Sequence, residues 1–296
     1  EIHSGDWSSD VCSSDLVTSV RMSEKSNVTR RRFLKATGGA ASAVAIAGES
    51  VAQQTTEQQT TGQGTAQGGS DRRLRMINGT MTTLDPIRAT DTASGTVIQQ
   101  IFDSLMNYPN GEIAVTELLA KGFNVSDDQT TYTFNLKQGT SFHNGDEVTA
   151  QDFVYAWERL AASENSRRSY FILESIGVQH ETTQDGSYKP GTLAVEARDD
   201  YTLRMQLSEP FHSTLPMLAY TSFAAVPEGI VGDIQGYDGE LPYARFATSN
   251  PIGAGPFQFE RWQSNQEAAV TRYDDYHGEG PRLAGVHWAI IEDDQA

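Results

Sequence analysis

Between residues 127 and 160 the chain alternates, turns and then changes its period. Tyr132, Phe134 and Leu136 alternate with Thr131, Thr133, Asn135 and Lys137, the period-two pattern of a strand with one buried face. Asn144-Gly145-Asp146 supplies turn residues. Thr149 follows as a natural helix N-cap, with Asp152 three residues on to answer the exposed N–H groups of the first turn. Phe153, Val154, Trp157 and Leu160 then fall at i, i+1, i+4 and i+7, one face of a helix. Strand, turn and amphipathic helix are therefore expected in that order.

The same reading continues along the chain. Leu74 and Met76 mark a short first strand that ends in a turn at Asn78-Gly79. Val97, Ile98, Ile101, Phe102 and Leu105 share a helical face, which predicts a helix over 92–105. Asn110-Gly111 is a hairpin signal. Leu203, Met205 and Leu207 alternate with Thr202, Arg204 and Gln206, entered from Asp199-Asp200 and closed by Ser208-Glu209-Pro210. A strand is expected through Phe259 and Trp262, and a final buried one over 286–291. Strands and helices interleave without an internal repeat, so the class is α/β, or mixed α+β.

Composition sharpens this picture. The net charge is −17. After position 52 there are 33 Asp and Glu against 13 Arg and only 3 Lys, so that part alone carries −17. Such a surface repels phosphate backbones and anionic lipid, which argues against nucleic acid as a partner. It fits ordinary solubility, or a halophilic, haloarchaeal-like surface whose carboxylates hold water and cations in concentrated salt; the scarcity of Lys favours the latter. The sole cysteine, Cys12, lies in DWSSDVCSSDL, which has no periodicity, caps or targeting logic and resembles a translated sequencing adapter. Residues 1–21 are therefore set aside as non-native, leaving no cysteine for a disulfide, a thiolate metal site or a lipid anchor. Met22 opens a leader over 22–52. In it Arg30, Arg31, Phe33, Leu34 and Lys35 precede a small, mildly apolar stretch, and the run resembles a twin-arginine export signal rather than a basic helix start. That stretch is shorter than the roughly 20 residues that a membrane-spanning helix needs. Residues 53–71, rich in Gln, Thr and Gly, bury too little apolar surface to offset chain entropy and are expected to be a disordered tether.

The wording of the central segment, DDxxTYTFxLxxGxxFHxGxxVTAxDFVYxWxRL, resembles the solute-binding proteins of family 5, the extracellular receptors of peptide-type ABC importers. Leu84-Asp85-Pro86 resembles the family's LDP element, DDYTLRMQLSEP its later strand, and NPIGAGPF its NPVGTGPF. Phe123 and His277 stand where the family has tryptophan. The resemblance implies one lobe of a type II periplasmic-binding-protein-like fold, with mixed β-sheets flanked by helices. It places a main subdomain at 72–107 and 221–296, and a smaller one at 108–220. Family members are nearly twice as long, so the second lobe is expected to be missing and the gene incompletely sequenced.

The resemblance also implies function: capture of a peptide or other small solute and delivery to an ABC permease and ATPase complex, after export by the twin-arginine translocase. Nickel chelates, haem and oligosaccharides remain open as ligands, as does a sensory receptor without transport. By the family's pattern the loop after LDP lines the ligand cleft, here Thr90, Asp91 and Thr92. Tyr170 lies near a ligand-facing aromatic position, although a half-buried tyrosine beside Phe171 reads equally well. The resemblance also implies Asn78 at the cleft, from the end of the first strand, and Glu292 near the crossover to the second lobe. Enzyme chemistry has little support. Gly253-Ala254-Gly255 runs straight into Pro256 and reads as a tight turn rather than a phosphate loop. There is no G-x-S-x-G, no HExxH and no metal-like histidine spacing, so no cofactor, metal or catalytic residue is expected, and a secreted hydrolase is the weakest alternative. His277 and His287 are expected in surface or half-buried places. The paired aspartates at 127–128, 199–200 and 274–275 read as turn carboxylates.

Overall fold

The structure, a computed structural model, describes residues 71–109 and 112–291. The export-signal residues Arg30, Arg31, Phe33, Leu34 and Lys35, the tether, the Asn110-Gly111 turn and Glu292 lie outside the described residues.

Two four-stranded sheets carry the fold. In the first, β1 (Arg73–Asn78), β10 (Gly285–Ile290), β9 (Glu267–Arg272) and β8 (Phe257–Gln263) lie side by side in that order. β1 runs parallel to β10 and the other pairs are antiparallel. Val286, Trp288 and Ile290 alternate into the core, whereas Ile291 is exposed, so the last strand stops one residue before the expected end. Among the described residues β1 pairs with β10 alone, and its Leu74, Met76 and Ile77 are exposed.

The second sheet has the order β4 (Ala120–Val125), β5 (Thr131–Leu136), β7 (Thr202–Gln206), β6 (Val195–Asp199), antiparallel throughout. Tyr132, Phe134 and Leu136 are buried while their neighbours are not, as the alternation requires. A short pair, β2 (Met106–Asn107) with β3 (Thr116–Glu117), leads into this sheet.

Helix α1 (Thr92–Ile101) packs on the first sheet. It ends four residues before the expected Leu105. The NPIGAGPF loop takes over at that point: the Gly255 N–H donates to the Ile101 carbonyl at 2.9 Å. A Cβ on Gly253 would stand 2.2 Å from that oxygen, so glycine is needed for the close approach.

Helix α2 (Ala150–Ala162) starts as expected, with the Asp152 carboxylate accepting from the Thr149 N–H at 2.7 Å. Its other carboxylate oxygen accepts from the Glu228 N–H at 2.8 Å. Burial pushes the Asp152 carboxyl up, against these bonds. The helix departs from the one-faced expectation. Tyr155, Ala156, Arg159 and Ala161 are buried along with Phe153, Trp157 and Leu160, whereas Val154 is only half-buried. The reason is its position between β6 and β7 on one side and the 221–234 segment on the other. Trp157 Nε1 donates to the Phe223 carbonyl at 3.0 Å, and the Tyr155 hydroxyl to that of Val231 at 2.5 Å. Burying each such aromatic stabilises the fold by about 1.5–3 kcal/mol. Two short helices, α3 (Thr214–Met217) and α4 (Tyr243–Thr248), lie between the two sheets' later strands in the sequence.

Candidate ligand-binding face

The face begins beneath its surface, at Arg159. This side chain, fully buried on α2, donates to two carboxylates. Nη1 and Nη2 reach Asp85 at 3.2 and 2.7 Å, while Nε and Nη2 reach Asp233 at 2.7 and 2.9 Å. Burial alone would lower the guanidinium's proton affinity; the flanking Asp85 and Asp233 outweigh it and hold the group charged. Ser163 Oγ adds a 2.6 Å bond to Asp233, and the guanidinium carbon lies 5.2 Å from the Phe246 ring centre.

Asp85 opens the loop that the resemblance places at the cleft. The Arg88 and Ala89 N–H groups both return to the Asp85 carbonyl, winding the loop into a turn. Three bonds dock it: the Ser222 hydroxyl to the Pro86 carbonyl at 3.3 Å, the Arg167 N–H to Ile87 at 3.0 Å, and Arg168 Nε to Ala89 at 3.2 Å. Asp91 is the N-cap of α1, with one carboxylate oxygen accepting from the Ser94 N–H at 2.7 Å and the other from the Thr82 hydroxyl at 2.6 Å. Thr90 and Thr92 are exposed, and neither hydroxyl has a partner among the described residues. Asn78 closes the group from β1, its Nδ2 donating to the Ala93 carbonyl at 2.9 Å while its own carbonyl accepts from the Ile291 N–H.

Tyr170 follows two residues after Arg168, which is bonded to this loop. Tyr170 is 43% exposed and Tyr220 52%; both meet the Phe171 ring edge-on, at 4.6 and 5.7 Å between centres. A π-helical turn, Phe171–Ser175, follows Tyr170 at once, a distortion often found at functional sites. Thr90, Asp91, Thr92 and Tyr170 thus stand on connected segments, with Asn78 bonded to the first turn of α1. Sequence reasoning missed Tyr220 and the Arg159 clamp. The clamp's signal was present as a charged residue beside Trp157 and Leu160 on a core helix.

His277 and His287 are bonded within the protein. His287 Nε2 lies 2.6 Å from Glu267, and His277 Nε2 lies 2.8 Å from Asp103, which also accepts from the Tyr276 hydroxyl. His277 is half-buried as a residue, as expected, with its side chain turned inward and 4% exposed. Among the described residues no group of three or more His, Cys, Asp or Glu could hold a metal ion, and no helix is long and apolar enough to cross a membrane. The aspartates at 128 and 199 accept from nearby backbone N–H groups, as turn residues do.

Comparison with known proteins decides the family. Residues 114–296 match the model for bacterial extracellular solute-binding proteins, family 5. The chain belongs to this family. Among family relatives, the glutathione-binding protein GsiB of Salmonella paratyphi A is 26% identical over 219 residues, 73% of this chain and 38% of the relative. The oligopeptide-binding protein OppA of Bacillus subtilis is 30% identical over 195 residues, 66% of this chain and 34% of the relative. The structure of the Escherichia coli murein tripeptide binding protein MppA superposes with a TM-score of 0.65 at 26% identity, covering 74% of this chain and 42% of that one. The fold is that of a type II periplasmic binding protein, and the chain spans well under half the length of these relatives.

Proposed function

We propose that the protein is the substrate-binding component of an ABC importer, capturing di- or oligopeptides outside the cell for a membrane permease and its ATPase. The observation that carries this reading is the exposed pair Tyr170 and Tyr220, both edge-on to Phe171, on a segment whose Arg167 and Arg168 bond to the loop that leads to Thr90 and Thr92. A tyrosine offers an apolar face and a polar tip, which suits a peptide backbone. The named relatives' ligands, glutathione, oligopeptide and murein tripeptide, share that chemistry.

In this reading Asn78, Thr90, Asp91, Thr92, Tyr170 and Glu292 belong to one wall of the cleft. The opposite wall belongs to the part of the relatives that this chain does not span. Residues 72–107 and 221–296 act as the main subdomain and 108–220 as the smaller one, and the two walls close by hinge motion. Binding is non-covalent and breaks no bond in the ligand. Arg30, Arg31, Phe33, Leu34 and Lys35 direct export through the twin-arginine translocase, and the acidic surface suits concentrated salt. Deleting the gene tests the reading: uptake of labelled peptides by the host falls, and returns with the gene in trans. Unchanged uptake of every peptide offered overturns it.

A further inference from the structure

Arginine in this acidic chain commonly stands beside a carboxylate, as Arg73, Arg198, Arg204 and Arg272 do. The three arginines on the 85–92 loop and on the segment that docks it do not. Among the described residues their side chains bond to neutral oxygens alone. Arg88 Nη1 donates to the Asn165 amide oxygen at 3.4 Å, and Arg167 Nη1 to the Glu164 and Ser166 carbonyls at 3.0 and 3.1 Å. Arg168 Nε donates to the Ala89 carbonyl at 3.2 Å. After position 52 the chain sets 33 Asp and Glu against 13 Arg and 3 Lys, so carboxylates were abundant and none is spent here.

Arg168 is the one of the three built into the candidate face. Its Nε is held at the residue before Thr90. Its Cζ lies over the Phe171 ring, 5.1 Å from the centre, and Tyr170 and Tyr220 meet that same ring edge-on. One side chain therefore touches both the loop and the ring that carries the two exposed tyrosines. The residue is half-buried; Nη1 and Nη2 have no partner among the described residues, and neither is sealed from solvent. With Nε fixed, these two nitrogens form the free end of a planar fork, the shape that takes a carboxylate through two parallel bonds. Asp91 does not answer it, because its oxygens already accept from the Ser94 N–H and the Thr82 hydroxyl. Partial burial strengthens an ionic contact at this point relative to open water. The exposed Arg88 and Arg167 add positive potential beside it.

We propose that Arg168 is an anion subsite of this face, and that the ligand places a carboxylate there. The proposal rests on the peptide-capture reading of the face and names the charge that its ligand carries. The carboxylate is that of a peptide's C-terminus or of an acidic side chain.

The test is calorimetry on protein expressed from the whole reading frame, with three pools of di- to pentapeptides. The first has free C-termini and no acidic residue, the second is the same pool amidated, and the third is amidated with one Glu in each peptide. The first or third pool should bind on the order of tenfold more tightly than the second, the worth of a charge-assisted pair of bonds. Which of the two does so identifies the source of the carboxylate. Arg168→Gln should abolish that preference and leave the amidated pool's affinity unchanged, and Arg168→Lys should restore part of it. Lys137→Gln, which removes a charge from the other sheet, should alter neither. Binding that falls in Tyr170→Ala but shows no preference for carboxylate, or a preference that survives Arg168→Gln, overturns the subsite and leaves the peptide reading standing. The same holds if Arg168→Gln weakens all three pools alike, since the residue then only anchors the loop. No binding from any pool overturns both.

Discussion

Replacing Arg159 by methionine keeps most of the stem and removes the guanidinium. Four hydrogen bonds of 2.7–3.2 Å go with it. Asp85 and Asp233, whose side chains are 0% and 5% exposed, stay behind as buried carboxylates. Asp233 keeps the Ser163 hydroxyl, and among the described residues Asp85 keeps only the Ile87 N–H at 3.3 Å. Removing one partner of a buried ion pair costs about 3–5 kcal/mol, because the remaining charge is left uncompensated. Typical total stability is about 5–15 kcal/mol, so the loss is a large fraction. Urea unfolding followed by circular dichroism at fixed salt should show a lower midpoint with unchanged slope. Arg159→Lys should fall in between, since one ammonium cannot fork to two carboxylates. Adding Asp85→Asn and Asp233→Asn to Arg159→Met should recover part of the loss. A single variant within about 1 kcal/mol of wild type, set against that cost, or a triple variant no better than the single, would refute the argument. Because Asp85 begins the 85–92 loop, amide exchange at Ala89 should also quicken in Arg159→Met.

Three further outcomes are expected. The Arg261 hydrogen bond, with help from His287, holds the Glu267 carboxyl down at about 2 against an ordinary 4.5. A depressed carboxyl adds stability above its unfolded value and loses it as pH falls toward its folded value, so Glu267→Gln should flatten the acid limb of the urea midpoint below about pH 4.5. Gly253→Ala pushes a Cβ to 2.2 Å from the Ile101 carbonyl oxygen and should cost about 1–3 kcal/mol in a thermal melt, whereas Gly280→Ala, with open space around it, should not register. The melting temperature should rise with KCl concentration; greatest stability in dilute buffer contradicts a salt-adapted surface.

Local pattern was legible where one segment decides its own structure. The burial of Tyr132, Phe134 and Leu136 and the Thr149–Asp152 start of α2 follow from neighbours in sequence. The α1 terminus did not, because the apolar periodicity runs on past Ile101 and the loop that ends the helix comes from Gly255. The Arg159 clamp was not legible because each of its two carboxylates lies 74 positions away, one before it and one after. The β1–β10 pairing joins Arg73 to Gly285, and no periodicity predicts a partner at that distance. The candidate face was visible only through the resemblance around Leu84-Asp85-Pro86, and Tyr220 carries no local mark that separates it from a core aromatic.

Calorimetry on protein expressed from the whole reading frame, titrated with a pool of di- to pentapeptides, bears most directly on the claim that this face receives the ligand. Saturable binding is predicted, weakened on the order of tenfold by Tyr170→Ala, the loss of one buried aromatic contact. A protein that binds no peptide in the pool, or binds with unchanged affinity in both Tyr170→Ala and Tyr220→Ala, contradicts it.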